Sequence, residues 1–134
     1  MLSTEKSIPQ PMSNRDYEFF YQGLRDHKLL VQKCDNCGAV RNPPAPMCPN
    51  CRSLEWSPLE CSGRGSVYSY TIHYHPPLPG YDMPHAIALT DMAEGFRLLG
   101  SFAGVEGSEL SVGMPVRIEF VQSGETATYQ FRPE

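Results

Sequence analysis

Apolar residues in the N-terminal part of the chain recur with a helical period. Between residues 14 and 26 they occupy the i, i+3, i+4 and i+7 positions of one helical face, formed by Tyr17, Phe20, Tyr21 and Leu24. This spacing predicts a helix over 14–26, followed by a short strand over 28–33. The aromatic face could cover the rest of the fold or dock onto a partner protein, and Phe19, which lies off that face, is expected to remain exposed.

From residue 54 onward, apolar and polar residues alternate, which is typical of half-buried β-strands. Turns rich in glycine and proline separate six such segments, at 54–61, 67–75, 85–91, 96–102, 116–120 and 127–131. This number of short strands suits a small closed barrel. In VYSYTIHYH (67–75), strict alternation would place Tyr68, Tyr70, Ile72 and Tyr74 on one face and Val67, Ser69, Thr71, His73 and His75 on the other.

Four of the five cysteines lie between these two patterns, in CDNCGAVRNPPAPMCPNC (34–51). Cys34 and Cys37 form one C-x-x-C pair, and Cys48 and Cys51 form a second pair after ten intervening residues. The two thiolates of each pair can face one ion, and two pairs complete the tetrahedral sulfur shell that zinc takes. The segment is rich in proline and poor in apolar residues, so it must gain its stability from a metal. The sequence therefore predicts one zinc site.

Free thiols, disulfides and iron are the alternatives to zinc at these cysteines. Iron in a sulfur-only site would make the protein an electron carrier. A catalytic zinc keeps one position open for water or substrate, and four cysteines leave none, so the site is predicted to be structural. The sequence also shows no activated nucleophile, no G-x-S-x-G motif and no phosphate loop, so the chain is not expected to be an enzyme.

These patterns divide the chain into three predicted segments. Residues 1–12 are polar and are expected to form a flexible leader, residues 13–53 the helix and zinc ribbon, and residues 54–134 the barrel domain. The start lacks the apolar region of a secretory signal. Moreover, no stretch approaches the roughly 18 apolar residues of a membrane span. A cytoplasmic protein without a membrane partner is therefore expected.

The formal net charge of −4 is unevenly distributed. Residues 1–53 carry seven Lys and Arg against five Asp and Glu, a balance of +2, whereas residues 54–134 carry four arginines against ten acids, a balance of −6. Nucleic-acid binding is the alternative function, because Tyr68, Tyr70 and Tyr74 could stack on bases. However, a barrel of this charge lacks the positive groove that such proteins need, so no nucleic-acid partner is expected.

The remaining reactive residues stand apart from the cysteine pairs. His73 and His75 share one side of a predicted strand, which would suit a second metal site or a general base, but no carboxylate lies near them in sequence and solvated histidines are expected. His27 and His85 are expected to be structural or solvated. Cys61 has no neighbouring base in sequence and is predicted to be a small core residue.

Taken in order, these stretches resemble a known family. The chain is similar to the acyl-CoA-associated zinc-ribbon/OB-fold proteins that accompany thiolases, with a rubredoxin-like ribbon. The resemblance spans residues 15–133 and is carried by the aromatic helix, LLVQKCDNCGAVRNPPAPMCPNC, GRGSVYSYT (63–71), GMPVRIEF (113–120) and FRP (131–133). One departure is the second pair, CPNCR, which lacks the glycine that follows Cys37 in the first.

The resemblance implies a mainly β fold with an N-terminal helix, a rubredoxin-like zinc ribbon and a small OB-fold β-barrel. It also implies a non-catalytic subunit that binds a thiolase-like or other acyl-CoA-processing enzyme as a hetero-oligomer and scaffolds its carbon–carbon bond chemistry. Acyl-CoA would then be shared with the partner. The pathway, the acyl group and the stoichiometry do not follow from the sequence.

Overall fold

One helix and eight strands account for the regular structure in the computed structural model, which describes residues 15–103 and 109–134. The predicted leader, 1–12, lies outside the described residues. In chain order the elements are α1 (Glu18–Arg25), β1 (Leu29–Cys34), β2 (Val40–Arg41), β3 (Trp56–Cys61), β4 (Arg64–His73), β5 (His85–Met92), β6 (Arg97–Ser101), β7 (Pro115–Ser123) and β8 (Thr126–Pro133). The mainly β class is as predicted.

The helix is shorter than the predicted range of 14–26. Residues 15–17 form a turn before it, and it ends where His27 adopts a φ of 57° and the Lys28 N–H donates to the Gly23 carbonyl at 2.8 Å. Gly23 lets α1 lie close to β1, because a Cβ there would come within 2.9 Å of Leu30 Cγ. Phe19 was expected to remain exposed, and this is wrong: it is half-buried, with its ring 4.7 Å from that of Trp56.

The first sheet has three antiparallel strands in the order β2–β1–β3. All six residues of β1 pair with β3, from Leu29 opposite Cys61 to Cys34 opposite Trp56. The segment 54–61 was counted among the barrel strands, and this is wrong, since β3 belongs to the sheet that leads into the cysteine pairs. Alternation identifies a strand but does not identify the strand with which it pairs.

The second sheet has five antiparallel strands in the order β6–β5–β4–β7–β8. It curls until its two edges meet at a single parallel bridge between Phe102 and Phe131, next to which the Ala103 N–H donates to the Phe131 carbonyl at 2.9 Å. These contacts replace a continuous ladder, so the described strands do not form the closed barrel that their number suggested. A partly open five-stranded barrel of this kind is an OB-fold.

A β-bulge at Tyr68 changes which side chains of β4 share a face. Val67 lies opposite Thr90 and Ser69 lies opposite Leu89, so Tyr68 is the extra residue. Tyr70 lies opposite Ala88, and Ala88 and Thr90 are two residues apart on β5 and so share a face. Their partners on β4, Tyr70 and Val67, therefore share a face as well. The predicted strict alternation is therefore wrong across Tyr68, because one inserted residue reverses the faces beyond it.

One hydrophobic cluster joins the helix, the three-stranded sheet and the barrel. The Phe20 ring of α1 packs edge-to-face against Tyr129 of β8, with 6.2 Å between the ring centroids. Burial of these side chains attaches the ribbon to the barrel as well as stabilising each part. The buried members are Phe20, Leu24, Leu29, Val31, Cys61, Val67, Ala88, Met92, Phe96, Leu98, Phe102, Leu110, Val116 and Phe131.

Candidate metal centre and its surroundings

The four cysteines of the two C-x-x-C pairs come together in space. All four sulfurs lie within 4.8 Å of one another. Cys34 Sγ is 3.5 Å from Cys51 Sγ, and Cys37 Sγ is 3.7 Å from Cys48 Sγ. Tetrahedral zinc with bonds of about 2.3 Å requires sulfur–sulfur separations of roughly 3.8 Å. The donor set therefore fits zinc in the type, number and spacing of its atoms.

Each pair is a tight turn closed by the same backbone hydrogen bond. In the first turn the Gly38 N–H donates to the Cys34 carbonyl at 3.0 Å, and in the second the Arg52 N–H donates to the Cys48 carbonyl at 2.8 Å. Both donor residues are left-handed, with φ of 78° at Gly38 and 68° at Arg52. Arginine thus occupies in the second turn the conformation that glycine adopts without strain in the first.

Hydrogen-bond donors near three of the four sulfurs favour the thiolate form, whereas at Cys48, despite the backbone N–H of Cys51, burial and the neighbouring thiols raise the pKa. The Asn50 amide donates to Cys37 Sγ at 3.4 Å and lowers the pKa of that thiol. Asn36 lies within the first pair, and its side chain lowers the pKa of Cys51 in the second pair through the same kind of hydrogen bond. The Cys37 N–H lies 3.5 Å from Cys34 Sγ and lowers the pKa of Cys34. Each of these contacts prepares a sulfur to bind a cation.

Two buried polar residues hold the proline-rich segment between the pairs. Gln32 of β1, which is 1% exposed, accepts a hydrogen bond from the Ala45 N–H at 2.8 Å. Arg41 of β2 lies opposite Gln32 and donates through Nη2 to the Ala45 carbonyl at 3.1 Å. Sequence reasoning credited this segment's order to the metal alone. The available signal was the glutamine that directly follows three apolar residues in LLVQKC (29–34).

Cys61 lies in the hydrophobic cluster, as predicted, and not with the other cysteines. Burial, with smaller contributions from Glu94 and Glu60, raises its pKa to about 12. A thiol with so high a pKa is protonated at neutral pH, which suits a core residue better than a metal ligand or a nucleophile.

The histidines do not form a second metal site within residues 15–103 and 109–134, where the four cysteines are the one group with metal-binding spacing. His73 lies across the strands from His85 rather than beside His75, and its Nε2 is 2.6 Å from the Pro76 carbonyl oxygen. His85 is buried against Tyr81 and lies 3.1 Å from Ser101 Oγ. Burial, and to a lesser extent His73, lowers the pKa of His85.

Comparison with protein families matches both halves of this arrangement. Residues 22–57 match the ChsH2 rubredoxin-like zinc ribbon domain, and residues 59–121 match the ChsH2 C-terminal OB-fold domain. A solved structure described as the Ltp2-ChsH2(DUF35) aldolase superposes with a TM-score of 0.89 at 37% identity, covering 92% of this chain and 98% of the other. The chain belongs to the DUF35 family. This confirms the resemblance and the ribbon and OB-fold that it implied.

Relatives of this DUF35 chain are named as parts of acyl-CoA enzymes or as scaffolds. A probable enoyl-CoA hydratase alpha subunit of Thermomonospora curvata is 37% identical over 93% of this chain. A DUF35 domain-containing scaffold protein of Methanocaldococcus jannaschii is 32% identical, with 78% of this chain and 81% of the relative covered. The benzoylsuccinyl-CoA thiolase subunit BbsA of Thauera aromatica is 27% identical, with 84% and 87% covered. The chain spans only 40% of the length of the hydratase subunit.

Two surfaces of the DUF35 fold were not anticipated from the sequence. One is a groove of about 650 Å³ between α1 and the barrel, lined by side chains that include Tyr17, Phe20, Tyr21, Leu98, Leu99, Ala127 and Tyr129. The Tyr129 hydroxyl donates to the Leu99 carbonyl, and burial raises the pKa of this tyrosine.

None of the described helices is long and apolar enough to cross a membrane.

The other surface is the free edge of β4. Among residues 15–103 and 109–134, this strand pairs with β7 over Arg64–Ser66 and exchanges main-chain hydrogen bonds with Gly113 and Met114 at Val67, whereas it pairs with β5 as far as His73. Tyr68 and Tyr70 on this edge are 45% and 39% exposed. From Gly65 to Tyr81 the sequence has no Lys, Arg, Asp or Glu, the residues that commonly protect exposed edges.

Proposed function

We propose that this chain is a non-catalytic accessory subunit that binds one structural zinc through Cys34, Cys37, Cys48 and Cys51. It would bind a thiolase-like or related acyl-CoA-processing enzyme and scaffold its carbon–carbon bond chemistry. The observation that carries this proposal is the closed set of four sulfurs in a protein of the DUF35 family. A shell filled by protein thiolates leaves no position at which a substrate or a reactive water could bind.

The free edge of β4 supports a protein partner. The segment 65–81 has no charged residue and is rich in tyrosine, as binding interfaces often are. Beyond Val67 the main chain on this edge, which is unpaired among the described residues, can accept an extended strand from the partner. We therefore place the partner enzyme on the segment Tyr68–Tyr74. Acyl-CoA would be shared with the partner. The groove between α1 and the barrel has the size that an acyl chain needs, and its lining is mostly apolar, with Asn42, Arg97 and two threonines as exceptions.

Two further parts of the proposal concern location and domain limits. Five free cysteines with a thiolate site suit a reducing compartment, so we propose the cytoplasm. Residues 13–53 and 54–134 remain our proposed division of the chain, although β3 pairs with β1 across this boundary and the hydrophobic cluster crosses it too. The exposed tyrosines would also suit a binder of single-stranded nucleic acid, but the balance of −6 over residues 54–134 argues against that function.

The direct test is affinity purification of the tagged, full-length chain from its native host, followed by mass spectrometry. A thiolase-like or other acyl-CoA enzyme should copurify, and the complex should turn over acyl-CoA whereas the isolated chain should not. Tyr74→Glu should weaken the association, because Tyr74 is 61% exposed beside the free edge. Leu54→Glu, at a position 67% exposed, is the matched control and should leave the association unchanged.

Turnover by the isolated chain would contradict the accessory role. Salt-sensitive binding of an oligonucleotide at low salt, without a copurifying enzyme, would favour the nucleic-acid function instead.

A further inference from the structure

A cleft of about 640 Å³ lies between the ribbon and the barrel, and no cysteine is among its lining residues. One wall is β2 with the residue that follows it, and the other is the β5–β6 hairpin. The lining residues are Val40, Arg41 and Asn42 on the first wall and Asp91, Met92, Gly95, Phe96 and Arg97 on the second.

Most of the hydrogen-bonding capacity of Arg41 is unused among the described residues. The side chain is 9% exposed, and only Nη2 is engaged, by the Ala45 carbonyl. Within the part of the chain that the structure describes, Nε and Nη1 are buried and have no hydrogen-bond partner. A guanidinium stays charged at any physiological pH, so buried donors without an acceptor are unfavourable. An added acceptor would remove that penalty.

The other charges in the cleft leave this positive charge uncompensated. Asp91 is the one carboxylate among the lining residues, and it is paired with Arg97 Nε at 2.8 Å. Two arginines against one aspartate give the cleft a charge of +1 in a chain whose net charge is −4. The hydrogen bond to the Ala45 carbonyl needs only one donor, and the neutral amide of a glutamine or asparagine could supply it. This bond therefore does not explain why a charged arginine occupies position 41.

We propose that this cleft binds a small oxyanion, a phosphate or carboxylate group, through Arg41, whose buried Nε and Nη1 donors would turn toward the anion by a change of side-chain rotamer. Arg97, which also stacks its guanidinium 3.6 Å from the Tyr68 ring centroid, adds positive potential from the opposite wall. Since the two walls belong to different sheets, a bound oxyanion would also fix the ribbon against the barrel. The proposal is independent of the partner enzyme.

The test is calorimetric titration of the full-length, zinc-loaded protein with inorganic phosphate and, separately, with acetate, against chloride at matched ionic strength. Saturable binding of phosphate alone, or of acetate as well, identifies which oxyanion the site accepts. Arg41→Gln should weaken binding at least tenfold, and Arg97→Gln several-fold. Arg117→Gln, at an exposed position of β7 outside the lining residues, should bind like the unmodified protein.

Asp91→Asn offers a test in the opposite direction. It removes the carboxylate from the cleft and should tighten binding several-fold. Zinc content reports whether each variant is folded, and if Arg41→Gln loses zinc, Arg97→Gln and Asp91→Asn decide the question. Neither anion binding saturably, or an Arg41→Gln protein that retains zinc and binds as tightly as the unmodified chain, would overturn the proposal.

Discussion

The left-handed conformation of Arg52 allows a quantitative test of how backbone strain limits zinc affinity. Arg52 and Gly38 occupy equivalent positions after the second cysteine of each pair, with φ of 68° and 78°. An L-residue in this region costs roughly 1–2 kcal/mol, which glycine avoids, while glycine loses about 0.5–1 kcal/mol more conformational entropy on folding. The net gain from glycine at position 52 is therefore about 0.5–1 kcal/mol.

Because the ribbon folds around its metal, this energy should appear in zinc affinity. Zinc competition with a chelator should show that Arg52→Gly binds about two- to fivefold more tightly than Arg52→Ala. Arg52→Ala is the matched reference, since both variants lose the positive charge beside the thiolates and only the backbone preference differs. Gly38→Ala should weaken binding by a similar factor, because a Cβ there meets no atom within 4 Å and only φ is unfavourable.

The reasoning would be refuted if Arg52→Gly and Arg52→Ala bound zinc equally, or if Gly38→Ala bound as tightly as the unmodified protein. Either result would mean that these turns change conformation when they take the metal.

Three further predictions concern the metal, the packing of β4 and the pH dependence of stability. The Cys48→Ser variant should lose its zinc, and hydrogen exchange should show residues 34–55 unprotected while the barrel strands stay protected. The Cys61→Ser variant should keep its zinc. Gly65→Ala should lower the free energy of unfolding by about 1–3 kcal/mol in chemical denaturation, because the added Cβ would overlap the Asp91 carbonyl oxygen. An unchanged denaturation midpoint would contradict the close approach of β4 to β5. The pKa of His85 is lowered in the folded chain, so below about pH 6.5 the unfolded chain binds a proton at this histidine more readily than the folded chain does. The free energy of unfolding should therefore fall as the pH drops below that value. In thermal denaturation, His85→Gln should flatten this part of the profile, and an equally steep profile would exclude His85 as its source.

The meeting of the four cysteines could be predicted from sequence because its determinants are local. Two C-x-x-C pairs fix their own turn geometry, and zinc chemistry fixes the distance between them. The same spacing reasoning identified the buried face of α1 through Phe20 and Leu24. By contrast, Phe19 was misplaced because its neighbour, Trp56, is far away in sequence and belongs to a strand assigned to the other sheet.

The errors in the barrel have a common physical origin. Alternation gives the presence of a strand, but pairing depends on side chains distant in sequence, so β3 was assigned to the barrel. A bulge inserts one residue without any change of composition, so the reversal of faces at Tyr68 left no signal in the sequence.

The unused donors of Arg41, in the ribbon, could not be predicted from the sequence either. The elements packed around a charged residue decide whether it is buried and unpaired.

The measurement that most directly tests the central claim is X-ray absorption at the zinc edge on the purified full-length chain. A closed structural site predicts one zinc per chain surrounded by four sulfurs at about 2.3 Å, with the same spectrum after acyl-CoA is added. A nitrogen or oxygen ligand in that shell, or a spectrum that changes with acyl-CoA, would show an open site and would contradict a purely structural metal.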